Sequence, residues 1–202
     1  MRKAIFVPMI SLLILLSACG GGQVEDGATA LRSRYQRTQA CDMEATVYCT
    51  QYGDPWEAVL RCAYVPDGQS VIEVVSPETI AGAKVILDGE FRFLQADGKR
   101  LNAGKISAEE ISPADALPRL MEALREGWLL EENAEDWNNV PCVRLTLDQS
   151  GNAGGKIFYT LWLRQSDGSP LRGEIAVNDE TIITVEFTTF TFYDIIPEEA
   201  AP

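Results

Sequence analysis

From Cys41 onward the chain alternates apolar and polar residues with a period of two, and it does so segment after segment. Cys41, Met43, Ala45, Val47 and Cys49 point one way, and Asp42, Glu44, Thr46 and Tyr48 point the other. A strand with one buried face requires that pattern, and a one-residue slip would turn every apolar side chain to water. After Tyr52-Gly53-Asp54-Pro55, Trp56, Ala58, Leu60, Cys62 and Tyr64 alternate with Glu57, Val59, Arg61 and Ala63, so the two runs form a hairpin whose apolar faces coincide. Pro66-Asp67-Gly68 is a turn, and Ser70 to Val75 is a third strand. Lys84–Leu87 and Phe91–Gln95 form a further hairpin across Asp88-Gly89, and Asp97-Gly98 makes the next turn.

The period then changes. Ser112-Pro113 reads as N-cap and first residue of a helix. Leu117, Leu120, Met121, Leu124 and Trp128 fall on one face at helical spacing, with Gly127 near the end. Pro118 sits in the first turns, where a missing donor costs little. The acidic stretch Glu131-Glu132-Asn133-Ala134-Glu135-Asp136 reads as an exposed loop. Val143 to Leu147, Phe158 to Arg164, Leu171 to Val177 and Thr181 to Tyr193 alternate again as strands, with turns at Asp167-Gly168 and Asn178-Asp179. A short helix over Ala30–Arg37, with Thr29 as its cap, precedes the first strand. The expected fold is α+β. It has a curved antiparallel sheet, an unclosed half-barrel, with a short N-terminal helix and a central amphipathic helix packed on the concave face. A closed small barrel is the alternative.

The amino terminus sets location. Met1-Arg2-Lys3 precedes an apolar run from Ala4 to Leu16, the layout of a secretory signal. That run is short of the ~20 residues a bilayer span needs. Leu16-Ser17-Ala18-Cys19 is similar to a lipobox, in which small residues fit the peptidase and the cysteine thiol takes a diacylglyceryl group. The expected organisation is a signal peptide over 1–18 and a lipidated flexible linker over 19–29 that includes Gly20-Gly21-Gly22. A folded domain over 30–193 and an acidic tail over 194–202 complete it. Two or three acyl chains at ~0.8 kcal/mol per buried CH₂ hold such a protein durably to a membrane. The location expected is extracytoplasmic, on the cell membrane, or on the outer membrane of a Gram-negative host.

Charge and composition exclude several functions. Of 17 cations the leader removes two and no acid, so 15 face 30 acids and the mature charge is −15. Such a surface does not suit nucleic acid. The chain has no histidine, which rules out Ser-His-Asp, Cys-His and HExxH chemistry. No Walker loop or GxGxxG occurs, and no cofactor is expected. Glu109-Glu110 and Glu135-Asp136 are the only acid/base candidates, and without a partner motif they read as exposed charges; no enzyme is expected.

Once Cys19 is lipidated, four cysteines remain. Cys49 and Cys62 flank the first hairpin turn and are expected to pair, leaving Cys41 with Cys142. Four buried free thiols are the alternative. No CxxC is present for redox catalysis.

The element order (lipobox, short helix, strand meander, Pro-bearing helix, second meander) resembles the LolA/LolB/LprG-like lipoprotein superfamily over roughly residues 30 to 193. Three segments also resemble a group of uncharacterised clostridial-type lipoproteins: Ser76-Pro77-Glu78-Thr79-Ile80-Ala81-Gly82, Ile111-Ser112-Pro113-Ala114-Asp115-Ala116-Leu117-Pro118 and Pro170-Leu171-Arg172-Gly173-Glu174-Ile175. The resemblance implies a cavity between sheet and helix that holds acyl chains of lipids or lipoproteins. The expected lining is Met43, Val47, Trp56, Leu60, Ile72, Val74, Leu117, Leu120, Met121, Leu124 and Trp128, with the helix as a lid. The plainer reading is that these side chains pack together as core. The superfamily also includes periplasmic sensors that govern anti-sigma factors, so an envelope protein partner is the alternative to lipid. Lipidation at Cys19 departs from the soluble carrier of that superfamily and favours a tethered acceptor, exporter or sensor.

Overall fold

The fold is taken from a computed structural model, which describes residues 27–51, 53, 55–106, 111–151 and 156–195. The leader, Cys19, the triple-glycine stalk, Glu109-Glu110 and the tail beyond Ile195 lie outside the described residues.

Helix α1 (Gly27–Arg37) leads into β1 (Ala40–Cys49), β2 (Trp56–Tyr64), β3 (Ser70–Ser76), β4 (Lys84–Asp88), β5 (Phe91–Ala96) and β6 (Lys99–Lys105). One 3-10 turn, Glu78–Ile80, lies between β3 and β4, and a second, Pro113–Asp115, runs into α2 (Ala116–Glu126). The chain then returns through β7 (Trp128–Trp137), β8 (Val140–Asp148), β9 (Ile157–Arg164), β10 (Pro170–Val177) and β11 (Glu180–Tyr193). All eleven strands form one antiparallel sheet in the order β6-β5-β4-β3-β2-β1-β11-β10-β9-β8-β7. The first meander therefore runs outward from the centre, α2 carries the chain across the concave face, and the second meander runs back until β11 pairs with β1. The edges β6 and β7 do not meet, so the sheet is an unclosed half-barrel and not the closed barrel.

The centre is the longest ladder. Ala40 to Cys49 pair with Tyr193 to Ile183, with one bulge at Glu44/Ala45. There the extra residue, Thr188, donates its hydroxyl to the Glu44 carbonyl at 2.9 Å, which satisfies a group that the bulge takes out of the ladder. Hairpin loops follow local chemistry. Asp97-Gly98, Asn138-Asn139 and Asn178-Asp179 all take positive φ, as two-residue loops matched to strand twist require. Between β4 and β5 the loop residues are Gly89 and Glu90, since Asp88 still pairs with Phe91.

Four expectations are corrected. Helix α1 starts at Gly27, so Thr29 lies inside it and is not its cap. The acidic stretch 131–136 is not a loop but the body of edge strand β7, and β6 is a strand that no alternation announces. Trp128 is not on the helix: α2 stops at Glu126, and Trp128 opens β7 with 76% of its surface exposed. The disulfides are absent, and Cys41, Cys49, Cys62 and Cys142 are buried free thiols. Register explains this. Cys62 stands opposite Met43 and Cys49 opposite Trp56, so Cys49 and Cys62 are six residues apart along the hairpin, about 20 Å. Cys41 and Cys142 lie on strands with β11, β10 and β9 between them. Both separations exceed the ~7 Å between Cα atoms that a disulfide spans.

Candidate functional site

The concave face is built by the inward residue of each pair. Met43, Ala45 and Val47 of β1, Leu60 and Cys62 of β2, Leu145 and Leu147 of β8, Leu161 of β9, and Val185 of β11 are each 1% exposed or less. Helix α2 lies on this floor. Leu117, Leu120, Met121 and Leu124 are at 0% exposure and belong to the same cluster as the sheet residues. One contact shows how closely the helix sits. A Cβ on Gly173 of β10 would lie 2.7 Å from Leu120 Cδ1 and 3.0 Å from Cδ2. Glycine is the residue that lets the helix rest on the sheet backbone at this point.

Both ends of α2 are held. Ser112 caps its lead-in turn by accepting from Ala114 N at 3.3 Å. Asp115, 1% exposed, is ion-paired with Arg92 from β5, which ties the start of the helix to the outer wing of the sheet. At the other end Arg32 of α1 donates to the carbonyls of Leu124 (3.0 Å) and Gly127 (2.6 Å), and Gln36 donates to that of Arg125 (3.0 Å). These bonds occupy carbonyls that a helix C-terminus leaves without partners. Gly127 is required there, because a Cβ would come within 2.6 Å of the Ala123 carbonyl.

The residues expected to line an acyl cavity therefore fall into three groups. Met43, Val47, Leu60, Ile72, Leu117, Leu120, Met121 and Leu124 come together, each at 1% exposure or less, with helix packed on sheet. Trp56 and Val74 are half-buried and pack against that cluster's margin. Trp128 is elsewhere.

A cleft of about 620 Å³ opens instead along the polar side of α2, where the far corners of the two meanders approach each other. The helix contributes Pro118, Arg119 and Glu122. The first meander contributes Tyr64, Asp67, Ser70, Leu87 and Glu90, and the second contributes Gln149, Ile157 and Tyr159. Arg119 hydrogen-bonds the Tyr159 phenol, which burial holds above its ordinary range. Burial likewise pushes up the Tyr64 phenol, and Glu122 adds to the effect. Glu122 reaches solvent at the mouth, yet the packed walls desolvate its carboxylate enough to raise its pKa against the opposing pull of Arg119. Ser70 is occupied, its hydroxyl accepting from Val65 N at 3.2 Å. Two phenols, one guanidinium and several carboxylates suit a polar ligand held by hydrogen bonds, with Val65, Leu87, Ile106, Pro118 and Ile157 as an apolar backing.

Sequence reasoning missed this cleft. Its walls come from six separated segments, and the only local signal is Arg119 with Glu122, one turn apart on the polar face of α2. Of the paired carboxylates, Glu135 serves structure: it accepts from Trp162 Nε1 and pairs with Arg144 at 3.4 Å. Among the described residues no cluster of His, Cys, Asp or Glu is arranged to hold a metal.

No protein-family model and no curated protein sequence matches the chain. Solved structures do. The chain is similar to a LolA superfamily protein. That structure, from Nitrosomonas europaea, is 9% identical with a TM-score of 0.44, over 85% of this chain and 96% of the other. LprF from Mycobacterium bovis is 16% identical with a TM-score of 0.46, over 87% and 97%. The MucA/MucB complex of Pseudomonas aeruginosa is matched at 14% identity and a TM-score of 0.42, over 86% of this chain and 59% of that one. The likeness is one of outline, and what those proteins bind does not follow from it.

Proposed function

We propose that the chain is a lipid-anchored envelope protein that works by binding a polar ligand or a partner's polar segment in the cleft beside α2, on the outer side of the membrane. The observation that carries this reading is the seating of α2. Leu117, Leu120, Met121 and Leu124 fill the concave face beneath the helix with no exposed surface, so the open volume between sheet and helix is the cleft at the polar flank of α2, where Arg119, Glu122 and two phenols meet. The lipobox-like Leu16-Ser17-Ala18-Cys19 behind an apolar leader supports the location, and the cleft's phenols, carboxylates and Arg119 support the ligand chemistry.

A second reading, a tethered acyl-chain carrier with α2 as a movable lid, is favoured by one feature. Beyond α2 the concave face continues through Leu94 and Leu101, exposed at 47% and 66%, an apolar track leading toward the groove. Thermal unfolding of the mature lipoprotein, recorded with panels of polar small molecules and of phospholipids, separates the two. Stabilisation by a polar compound that disappears in Arg119→Met supports binding in the cleft. Stabilisation by acyl ligands that persists in Arg119→Met places binding in the groove and overturns the first reading.

A further inference from the structure

The two free edges of the half-barrel carry opposite charge. Edge strand β6 has every residue exposed, and it holds Lys99, Arg100 and Lys105 with no acid. Edge strand β7 holds Glu131, Glu132, Glu135 and Asp136, all exposed, with no cation. The segregation extends to both faces. Arg100 and Lys105 lie over Phe93 and Phe91 on the convex side at 4.0 and 5.6 Å, while Lys99 shares the concave side with Leu101, which pairs with Leu94. On β7, Glu132 and Asp136 stand opposite Leu145 and Pro141 on the concave side, and Glu131 and Glu135 face Arg144 on the convex side at 3.5 and 3.4 Å.

Charges on an edge strand ordinarily keep another strand away, because open N–H and C=O groups are a template for pairing. That protection holds here between like edges: two copies of β6 repel, and so do two copies of β7. It fails between unlike edges. There the charges attract on both faces, and ladder hydrogen bonds become available over the seven residues of β6. The ion pairs of β6, Lys105 with Glu90 at 2.9 Å and Arg100 with Asp88 at 3.7 Å, are exposed on both sides and exchange readily, while on β7 Glu131 and Glu135 share the part-buried Arg144 and are held more firmly.

We infer that the β6 edge of one molecule docks on the β7 edge of a second copy, so that the protein associates head to tail on the membrane. Such a contact uses two different surfaces, so it does not close as a twofold dimer and extends into rows.

The test uses the full chain in its own membrane, with a benzophenone amino acid placed at the exposed Asn133 of β7. Irradiation is expected to give a cross-linked dimer and a ladder of higher species. One variant reverses β6 (Lys99→Glu, Arg100→Glu, Lys105→Glu), and another reverses β7 (Glu131→Lys, Glu132→Lys, Asp136→Lys). Either alone is expected to lower the cross-linked fraction about tenfold or more, the size that a few cross-strand ion pairs turned repulsive produce. Co-expression of the two variants restores opposite charge at every junction and is expected to restore the ladder, which also shows that both variants fold. The inference is overturned by wild-type cross-links only to other proteins, by no self-cross-link, by reversals that change nothing, or by a loss that co-expression does not repair.

Discussion

Replacing Leu120 by alanine, Gly173 by alanine, and both together asks whether α2 is fixed on the sheet or rests there loosely. Leu120 is fully buried, and truncating a buried leucine costs about 2–5 kcal/mol in lost transfer energy and cavity. The Gly173→Ala methyl would stand 2.7 Å from Leu120 Cδ1, well inside contact distance. Leu120 is fully buried and must shift to admit the methyl, so this overpacking is expected to cost about 1–3 kcal/mol. The double variant places the new methyl where the leucine carbons were, and its cost should fall short of the sum by about 1–2 kcal/mol. Urea unfolding followed by tryptophan fluorescence reads all three. With a slope near 2 kcal/mol/M, a loss of ~3 kcal/mol moves the midpoint by about 1.5 M. A lid over an open cavity behaves differently. Gly173→Ala would then be neutral, or would stabilise by about 0.4–1 kcal/mol through the unfolded chain, and the two changes would add. That result would refute the close seating of α2.

Three further outcomes follow from the same geometry. Arg92→Met takes a paired cation away from the buried Asp115 at the start of α2 and is expected to cost about 1–3 kcal/mol, whereas Arg92→Met with Asp115→Leu should recover part of it; denaturant midpoints check both. Glu122 has a raised pKa in the folded state, so its charged form opposes folding at neutral pH, and that opposition fades as pH falls toward the ordinary value of 4.5. Glu122→Gln should therefore unfold at higher urea than wild type at pH 7, with the gap closing on acidification; a constant gap would remove the carboxylate from the explanation. Finally, burial pushes the Cys41 thiol up to about 12 and that of Cys62 well upward. The native mature protein is expected to show no reaction with Ellman's reagent, and in denaturant four thiols should react. A fifth would mean that Cys19 carries no lipid.

What could be read from the sequence follows burial. Strands with one buried face, such as β1 and β2, announce themselves by alternation, because only there does water select alternate residues. The edges β6 and β7 have little core beneath them, so their residues are polar on both sides and read as loop. One signal for β7 was present: Asn138-Asn139 is a hairpin loop sequence, and a hairpin needs a strand on each side. Trp128 fits the spacing of α2 and still lies outside it, because Gly127 ends the helix one residue earlier. The cysteine pairing failed for a related reason. Flanking a turn is not facing across it, and only the register shows that Cys49 meets Trp56. Eight of the eleven residues expected to line the cavity meet in one cluster, with Trp56 and Val74 at its margin and Trp128 outside it, and periodicity does not distinguish a lined cavity from a packed core. The cleft was hidden because Tyr64, Arg119, Glu122 and Tyr159 meet only through the crossing of the two meanders.

Native mass spectrometry of the purified mature lipoprotein, before and after denaturation, tests the filled groove most directly. The expected native mass is that of the lipidated chain alone, unchanged by incubation with phospholipid or fatty acid. A stoichiometric lipid carried without covalent attachment and released on unfolding would contradict the account, since the side chains of α2 would then have to leave the concave face to admit it.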